Sequence, residues 1–144
     1  MAVYSRAPLK IERRRQAGGA LEVVKFDFAD WTVLGLYRSP DRQKAPLPRL
    51  LDELEALLPQ EAGKRVVVVG DFNVDLNLRE SSDKRQLEGW MRQRHFDYSD
   101  IGPTTELQTA IDHVWSNSPL SGPTMAITSY YSDHKKILVT FPSE

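Results

Sequence analysis

Three short segments carry the residue types from which hydrolytic chemistry can be built. Gly70-Asp71-Phe72-Asn73 follows the valines Val66 to Val69. A buried strand there would deliver the chain to a sheet end, where irregular backbone can present side chains. In extended backbone, residues two apart point to one side. Asp71 and Asn73 are therefore expected to aim at a common point, with Phe72 entering the core. The same tetrapeptide also suits a plain turn, because Gly, Asp and Asn all favour turns. Ile111-Asp112-His113-Val114-Trp115 sets an acid within an apolar strand segment. Such an acid is costly unless paired or functional; the other reading is an edge strand whose polar face carries Asp112. Tyr130-Tyr131-Ser132-Asp133-His134 puts an Asp-His pair at the entry to the last expected strand. Loops at strand ends often carry function, although a histidine in a loop is often simply solvated.

Taken together, each segment places a carboxylate at the boundary of an expected strand, one adds the Asn73 amide and another the His134 imidazole. Phosphodiester hydrolysis needs this set. Carboxylate oxygens hold a hard cation, which neutralises phosphate. Histidine removes a proton from water near neutral pH, and a carboxylate fixes its tautomer. A neutral donor such as Asn steadies charge developing on phosphorus.

The ordered series GDFN, IDHVW and SDH resembles the endonuclease/exonuclease/phosphatase superfamily, which includes DNase I-like and exonuclease III-like enzymes and retrotransposon endonucleases. Tyr37-Arg38-Ser39-Pro40 resembles its YxxP segment. Pro103-Thr104-Thr105 resembles a PT segment of mobile-element members. The resemblance implies an α/β fold, a four-layer α/β sandwich of the DNase I-like type. It implies His134 as general base or phosphate partner, Asp112 as the carboxylate bonded to it, and Asp71 as the residue orienting water or protonating the leaving oxygen. Asn73 would be a phosphate-binding amide, Tyr37 a phosphate contact, and Thr104 or Thr105 a backbone contact. Asp71 and Asp133 would serve a Mg²⁺ or Mn²⁺ ion. The substrate implied is nucleic acid, DNA before RNA, in an intracellular, nuclear setting. The superfamily's first strand bearing Asn, and its QE segment with a metal-ligating Glu, have no counterpart here, and Glu12 and Glu22 do not sit in the matching context. The chain is therefore expected to be a single partial domain lacking its first strands and helix, with a missing N-terminal segment or a place in a larger polyprotein. A non-catalytic module that binds nucleic acid or protein is the alternative, and a phosphatase on small or lipid phosphoesters a further one.

The elements that must position these residues are legible in part. Met1 to Ser5 reads as a strand. Leu21 to Phe28 and Trp31 to Tyr37 read as an antiparallel hairpin turning at Asp30 and ended by Ser39-Pro40. Pro46 to Leu58 repeats leucine at helical spacing. Arg65 to Gly70 reads as a strand buried on both faces. Ser82 to Arg94 reads as a helix with Leu87, Trp90 and Met91 inward and Ser82 or Asp83 as cap. Ile101 to Thr109 reads as a polar loop. Ala110 to Trp115, Met125 to Tyr130 and Ile137 to Phe141 read as strands.

Composition narrows the chemistry further. The chain has 144 residues, enough for one domain with a real core. It has no cysteine, which excludes disulfides, thiolate nucleophiles and thiolate metal sites and leaves oxygen or imidazole ligands. A net charge of −1 gives no global basic field, so polyanion contact must be local. Lys10 to Arg15 and the sparser Lys84, Arg85, Arg92 and Arg94 are the candidate patches, each also readable as a solvated face. No run approaches the apolar length of a membrane span, and the first residues lack the pattern of a signal peptide.

Overall fold

A computed structural model describes residues 5–6, 8–15 and 17–142. The strand expected over Met1 to Ser5 lies outside them, apart from Ser5, which is not in a strand.

The β-branched and aromatic run Leu21–Phe28 forms β2, and Trp31–Arg38 forms β3. They pair antiparallel from Leu21↔Arg38 to Phe28↔Trp31. The leucine-rich helix α1 spans Leu47–Leu57. It carries the chain back to β4, Arg65–Asp71, which lies parallel to β3. Helix α2 spans Ser82–Gln93. Strand β5, Asp97–Tyr98, pairs with β6, Asp112–Ser116, which also pairs antiparallel with β4. With β1, Ile11–Arg15, these strands make a six-stranded sheet in the order β1-β2-β3-β4-β6-β5. Strands β7, Met125–Ile127, and β8, Lys136–Leu138, form a separate two-stranded sheet.

Alternation along the strands splits the core in two. Leu21, Val23, Leu34, Leu36, Val66 and Val68 face the helices and meet Leu47, Leu50, Leu54, Leu57, Leu87 and Met91. Trp31, Val33, Val67 and Val114 face the other way, where Ile137, Val139 and Phe141 cover them. The architecture is an α/β sandwich, and among the described residues it has one helical layer, the large sheet and the small one. No helix among them is long and apolar enough to cross a membrane.

Four expectations change. The basic run is a strand, β1, at the sheet edge, where charge is a usual guard against further pairing; Arg14 bonds Glu53 of α1 at 2.6 Å and Arg13 bonds Glu22 of β2 at 2.9 Å. The cap of α2 is Ser81, whose hydroxyl accepts from Lys84 N–H at 3.3 Å, rather than Ser82 or Asp83. Strand β6 is internal and buried throughout, which removes the edge-strand reading of Asp112. The last two strands are shorter than expected: β7 stops at Ile127, leaving Tyr130 in a loop, and β8 stops at Leu138, although Val139 and Phe141 beyond it still pack on the second core.

Candidate active site

Strand register sets the first part of the site. Glu22, Tyr37, Asp71 and Asp112 are successive cross-strand partners on β2, β3, β4 and β6. Cross-strand partners share a face, so these residues form a row along one end of the sheet, on the face opposite the helices.

Immediately after Asp71 the chain turns. Phe72 is fully buried, and its N–H donates to the Ile111 carbonyl at 2.9 Å. Asp71 Oδ1 accepts the Asn73 N–H at 3.0 Å, an Asx turn that suits the positive φ of 49° at Asn73. Asp71 and Asn73 therefore do not project together from extended backbone as expected. The Asn73 amide donates instead to the Arg38 carbonyl at 2.6 Å, tying the turn to the end of β3.

Arg38 anchors this junction from beneath. Its fully buried guanidinium donates to the Ala45 carbonyl at 2.8 Å, the Phe72 carbonyl at 3.3 Å and Asp83 at 3.0 Å. Arg42 adds bonds to Asp83 at 2.7 Å and to the Asn73 carbonyl at 3.1 Å. His113 secures the other side. Its Nε2–H faces the carbonyls of Val74 at 2.7 Å and Ala110 at 3.0 Å, while Nδ1 accepts from the Trp115 indole at 3.3 Å. Only the neutral ring can do both. Burial holds it neutral, lowering its pKa to about 4 against the partly offsetting carbonyls.

The second part of the site comes from two loops. The Thr104 carbonyl accepts the Lys135 N–H at 2.7 Å, and the Asp133 carbonyl accepts the Glu106 N–H at 3.2 Å, with a bridge between Thr105 and His134. These bonds seat His134 over the row. Its Nδ1 lies 2.8 Å from Asp112 Oδ2, and its Nε2 lies 4.0 Å from Asp71 Oδ2. Thr104 is fully buried and donates its hydroxyl to the same Asp112 oxygen at 2.7 Å.

Charge accumulates here. Burial first, and the Asp112 charge second, raise Asp71 to about 6, despite the Asn73 N–H and His134. Burial would lower the His134 pKa, but the hydrogen bond to Asp112 and the charges of Asp112, Asp71 and Asp133 raise it overall. Ligand atoms of Asp71, Asp112 and His134 lie within 4.8 Å of one another. Two carboxylates and an imidazole converging in this way could hold part of the coordination shell of a divalent cation, whose remaining positions water would fill.

The family model for the endonuclease/exonuclease/phosphatase family matches residues 1–134. The chain belongs to that family. Solved structures share its fold. The endonuclease domain of TRAS1, a telomere-specific non-LTR retrotransposon, superposes with a TM-score of 0.65 at 18% identity, covering 88% of this chain and 64% of that one. The Haemophilus ducreyi cytolethal distending toxin gives 0.59 at 13% identity, covering 94% and 60%. The Bacteroides thetaiotaomicron mannosyl-6-phosphatase Bt3783 gives 0.50 at 16% identity, covering 82% and 56%. The chain thus spans less than two thirds of each. No curated protein sequence matches it.

Of the family residues expected from the sequence, the fold brings together Asp71, Asp112 and His134, with Tyr37 beside Asp71 in the row and Asn73 at the turn. Asp133 is exposed and outside the three-residue cluster, although its charge reaches both Asp71 and His134. Thr105 shares its hydroxyl with Thr109 at 2.6 Å and bridges to His134 through its backbone, while the Thr104 hydroxyl bonds Asp112 directly. The sparse second patch lies on α2 and its C-terminal cap, with three of its four cations engaged locally: Lys84 on the Leu76 and Leu78 carbonyls, Arg85 on Glu80, Arg94 on Glu55. Arg38 and His113 escaped the sequence reading as positioning residues. Their only signal was adjacency to Tyr37 and Asp112.

Proposed function

We propose that this chain hydrolyses phosphodiester bonds in nucleic acid, with DNA the favoured polymer and an endonuclease of mobile-element type the favoured kind. The observation that carries the reading is the relay Thr104–Asp112–His134, which ends with His134 Nε2 4.0 Å from Asp71. Asp112 keeps the proton on Nδ1, so Nε2 faces the gap with a lone pair. A water between Nε2 and Asp71 would be within hydrogen-bond reach of both, and His134 would take its proton as it attacks phosphorus. Tyr37 and the Asn73 turn line the side where phosphate oxygens would lie. A divalent cation, Mg²⁺ or Mn²⁺, held by Asp71 with Asp112 and His134 close by, would neutralise phosphate charge. Asp133 would add negative charge at the rim.

A second reading has its own support. The cluster offers two carboxylates, few for a hard cation that prefers six or more oxygens, waters included, and the chain spans 64% of the retrotransposon domain it resembles. A module that binds nucleic acid or protein without cutting it would share this geometry. Incubation with supercoiled plasmid and Mg²⁺ separates the two. Nicking by the wild type, abolished by chelation and by His134→Ala, is expected of the enzyme. No nicking supports the binding module, and equal nicking by the variant rules out hydrolysis through His134.

A further inference from the structure

Two of the largest exposed side chains in the molecule lie beside this site and have no part in it. Tyr130 is 94% exposed and Tyr131 95%. Both stand on the loop between β7 and β8, directly before Ser132, Asp133 and His134. The fold gives no reason for aromatic rings there. Aromatic side chains normally bury most of their surface, and the second core is already closed by Ile137, Val139 and Phe141. The loop is nevertheless shaped: Ser129 Oγ accepts the Tyr131 N–H at 3.4 Å and Ser132 Oγ accepts the His134 N–H at 3.1 Å. A cleft of about 320 Å³ opens next to it, lined by Ser132, Asp133, His134 and Lys135 from this loop and by Thr105 and Glu106 from the loop before β6.

We propose that Tyr130 and Tyr131 form a stacking platform for nucleobases of the substrate strand next to the scissile phosphate. The inference rests on the nucleic-acid reading of the site above and names what the site would grip besides phosphate. Tyr131 lies three residues before His134, so their Cα atoms are at most about 11 Å apart. Bases advance about 3.4 Å per nucleotide along a strand. The platform therefore reaches bases one to three nucleotides from the reacting phosphorus, and Lys135 in the cleft can meet an intervening phosphate. Every base has a π-face, so stacking of this kind tolerates sequence and favours bases that are unpaired or splayed from a duplex. A phosphomonoester without a base would gain nothing from it.

The test uses the full chain in chelator, so that binding is read without cleavage. The probes are a fluorescent oligothymidylate and an equally long oligomer of abasic tetrahydrofuran units, which keeps the phosphates and lacks the bases. Tyr130→Ala and Tyr131→Ala should each weaken oligothymidylate binding roughly 5- to 100-fold, leave the abasic oligomer unaffected, and be rescued by phenylalanine at the same position. Both rings are exposed, so neither substitution should move the unfolding midpoint. Equal losses on both probes, no loss on either, or phenylalanine failing as alanine does would overturn the proposal. So would loss of binding to phosphatidylcholine–phosphatidylserine vesicles with oligothymidylate binding intact, which would make the loop a membrane contact. If the wild type binds oligothymidylate through these tyrosines yet never nicks plasmid, the nuclease reading fails and the platform stands. If it nicks plasmid and the alanine variants bind normally, the platform alone fails.

Discussion

His134 Nδ1 meets Asp112 Oδ2 at 2.8 Å across 22 residues of sequence. Strand β6 fixes the carboxylate and the loop entering β8 supplies the imidazole. The Thr104 hydroxyl, 2.7 Å from the same oxygen, holds the acid between two loops. A buried acid with two donors on one oxygen is oriented rather than merely accommodated.

Removing either member of this pair should cost nicking activity about 10²- to 10⁴-fold, the range for a positioned general base or its orienting carboxylate. His134→Ala deletes the proposed base. Asp112→Asn keeps the shape but can offer an amide N–H to Nδ1, favouring the wrong tautomer. Because the two act as a unit, the double variant should lose little more than the worse single one. Plasmid nicking by all three, read beside their circular dichroism, decides it; fully additive losses in folded variants would show independent roles.

Asp71 and His113 should bend the stability profile in opposite directions between pH 4 and 6.5. Asp71 binds its proton more tightly when folded, near 6 against 3.8 unfolded. The folded state therefore loses stability as pH rises through that interval, on the order of 3 kcal/mol. His113 binds its proton less tightly when folded, about 4 against 6.5. It contributes stability above 6.5 that is lost as pH falls toward 4, of similar size. In chelator, Asp71→Asn should gain on the wild type as pH rises from 4 to 6, while losing nicking. His113→Gln should be weaker than the wild type at pH 7, with the gap narrowing as pH falls to 4. Urea unfolding across that range is the measurement, and parallel profiles for wild type and variants would contradict both assignments.

Most of the scaffold was legible because its residues repeat with the period of their element. The leucines of α1 and the alternating β2–β3 hairpin declare themselves, and the valines of β4 read as a strand buried on both faces. Asp112, a charge inside an apolar run, fitted an edge strand equally well, and only the internal place of β6 shows it to be buried. Strand β1 was hidden because Glu12, Arg13, Arg14 and Arg15 carry no apolar alternation; its pairing with β2 makes it a strand. Strand β5, two residues long, offers no period to detect. The turn at Asn73 defeated the extended reading because a side-chain bond from Asp71 to a nearby N–H competes with strand geometry. Thr104 was placed near substrate by motif, whereas its contact with Asp112 depends on how a loop folds back over β6.

Arg38 should be the most sensitive polar residue outside the reacting groups. It satisfies two buried carbonyls and Asp83 at once, while its own carbonyl holds the Asn73 side chain. Arg38→Met leaves those acceptors without donors and should cost about 3–5 kcal/mol. Lysine, with a point charge in place of a planar fork, should recover little of it. Asp83→Asn keeps an oxygen for Arg38 and should cost less, about 1–3 kcal/mol. Denaturant midpoints rank the three, and a methionine variant as stable as the wild type would show that the fork is not needed.

Gly70 should tolerate no side chain. It precedes Asp71 on β4, with φ of 148°, and a Cβ there would collide with the Leu36 carbonyl oxygen on β3. The obstacle is backbone in a paired strand, so it cannot swing aside as a flexible side chain would. Relief requires the end of β4 to peel from β3, the place where Tyr37 and Asp71 are partners. Gly70→Ala should therefore lose more than about 4 kcal/mol, in the class of strained-backbone substitutions. Whatever fraction remains folded should nick poorly, because Asp71 moves with the strand end. Gly89 of α2 provides the contrast: a methyl group there would meet nothing within 4 Å, and alanine should stabilise the helix by about 1 kcal/mol. Thermal unfolding of the two variants beside plasmid nicking tests the geometry, and a Gly70→Ala protein that melts and cuts like the wild type would mean that β3 and β4 do not approach so closely.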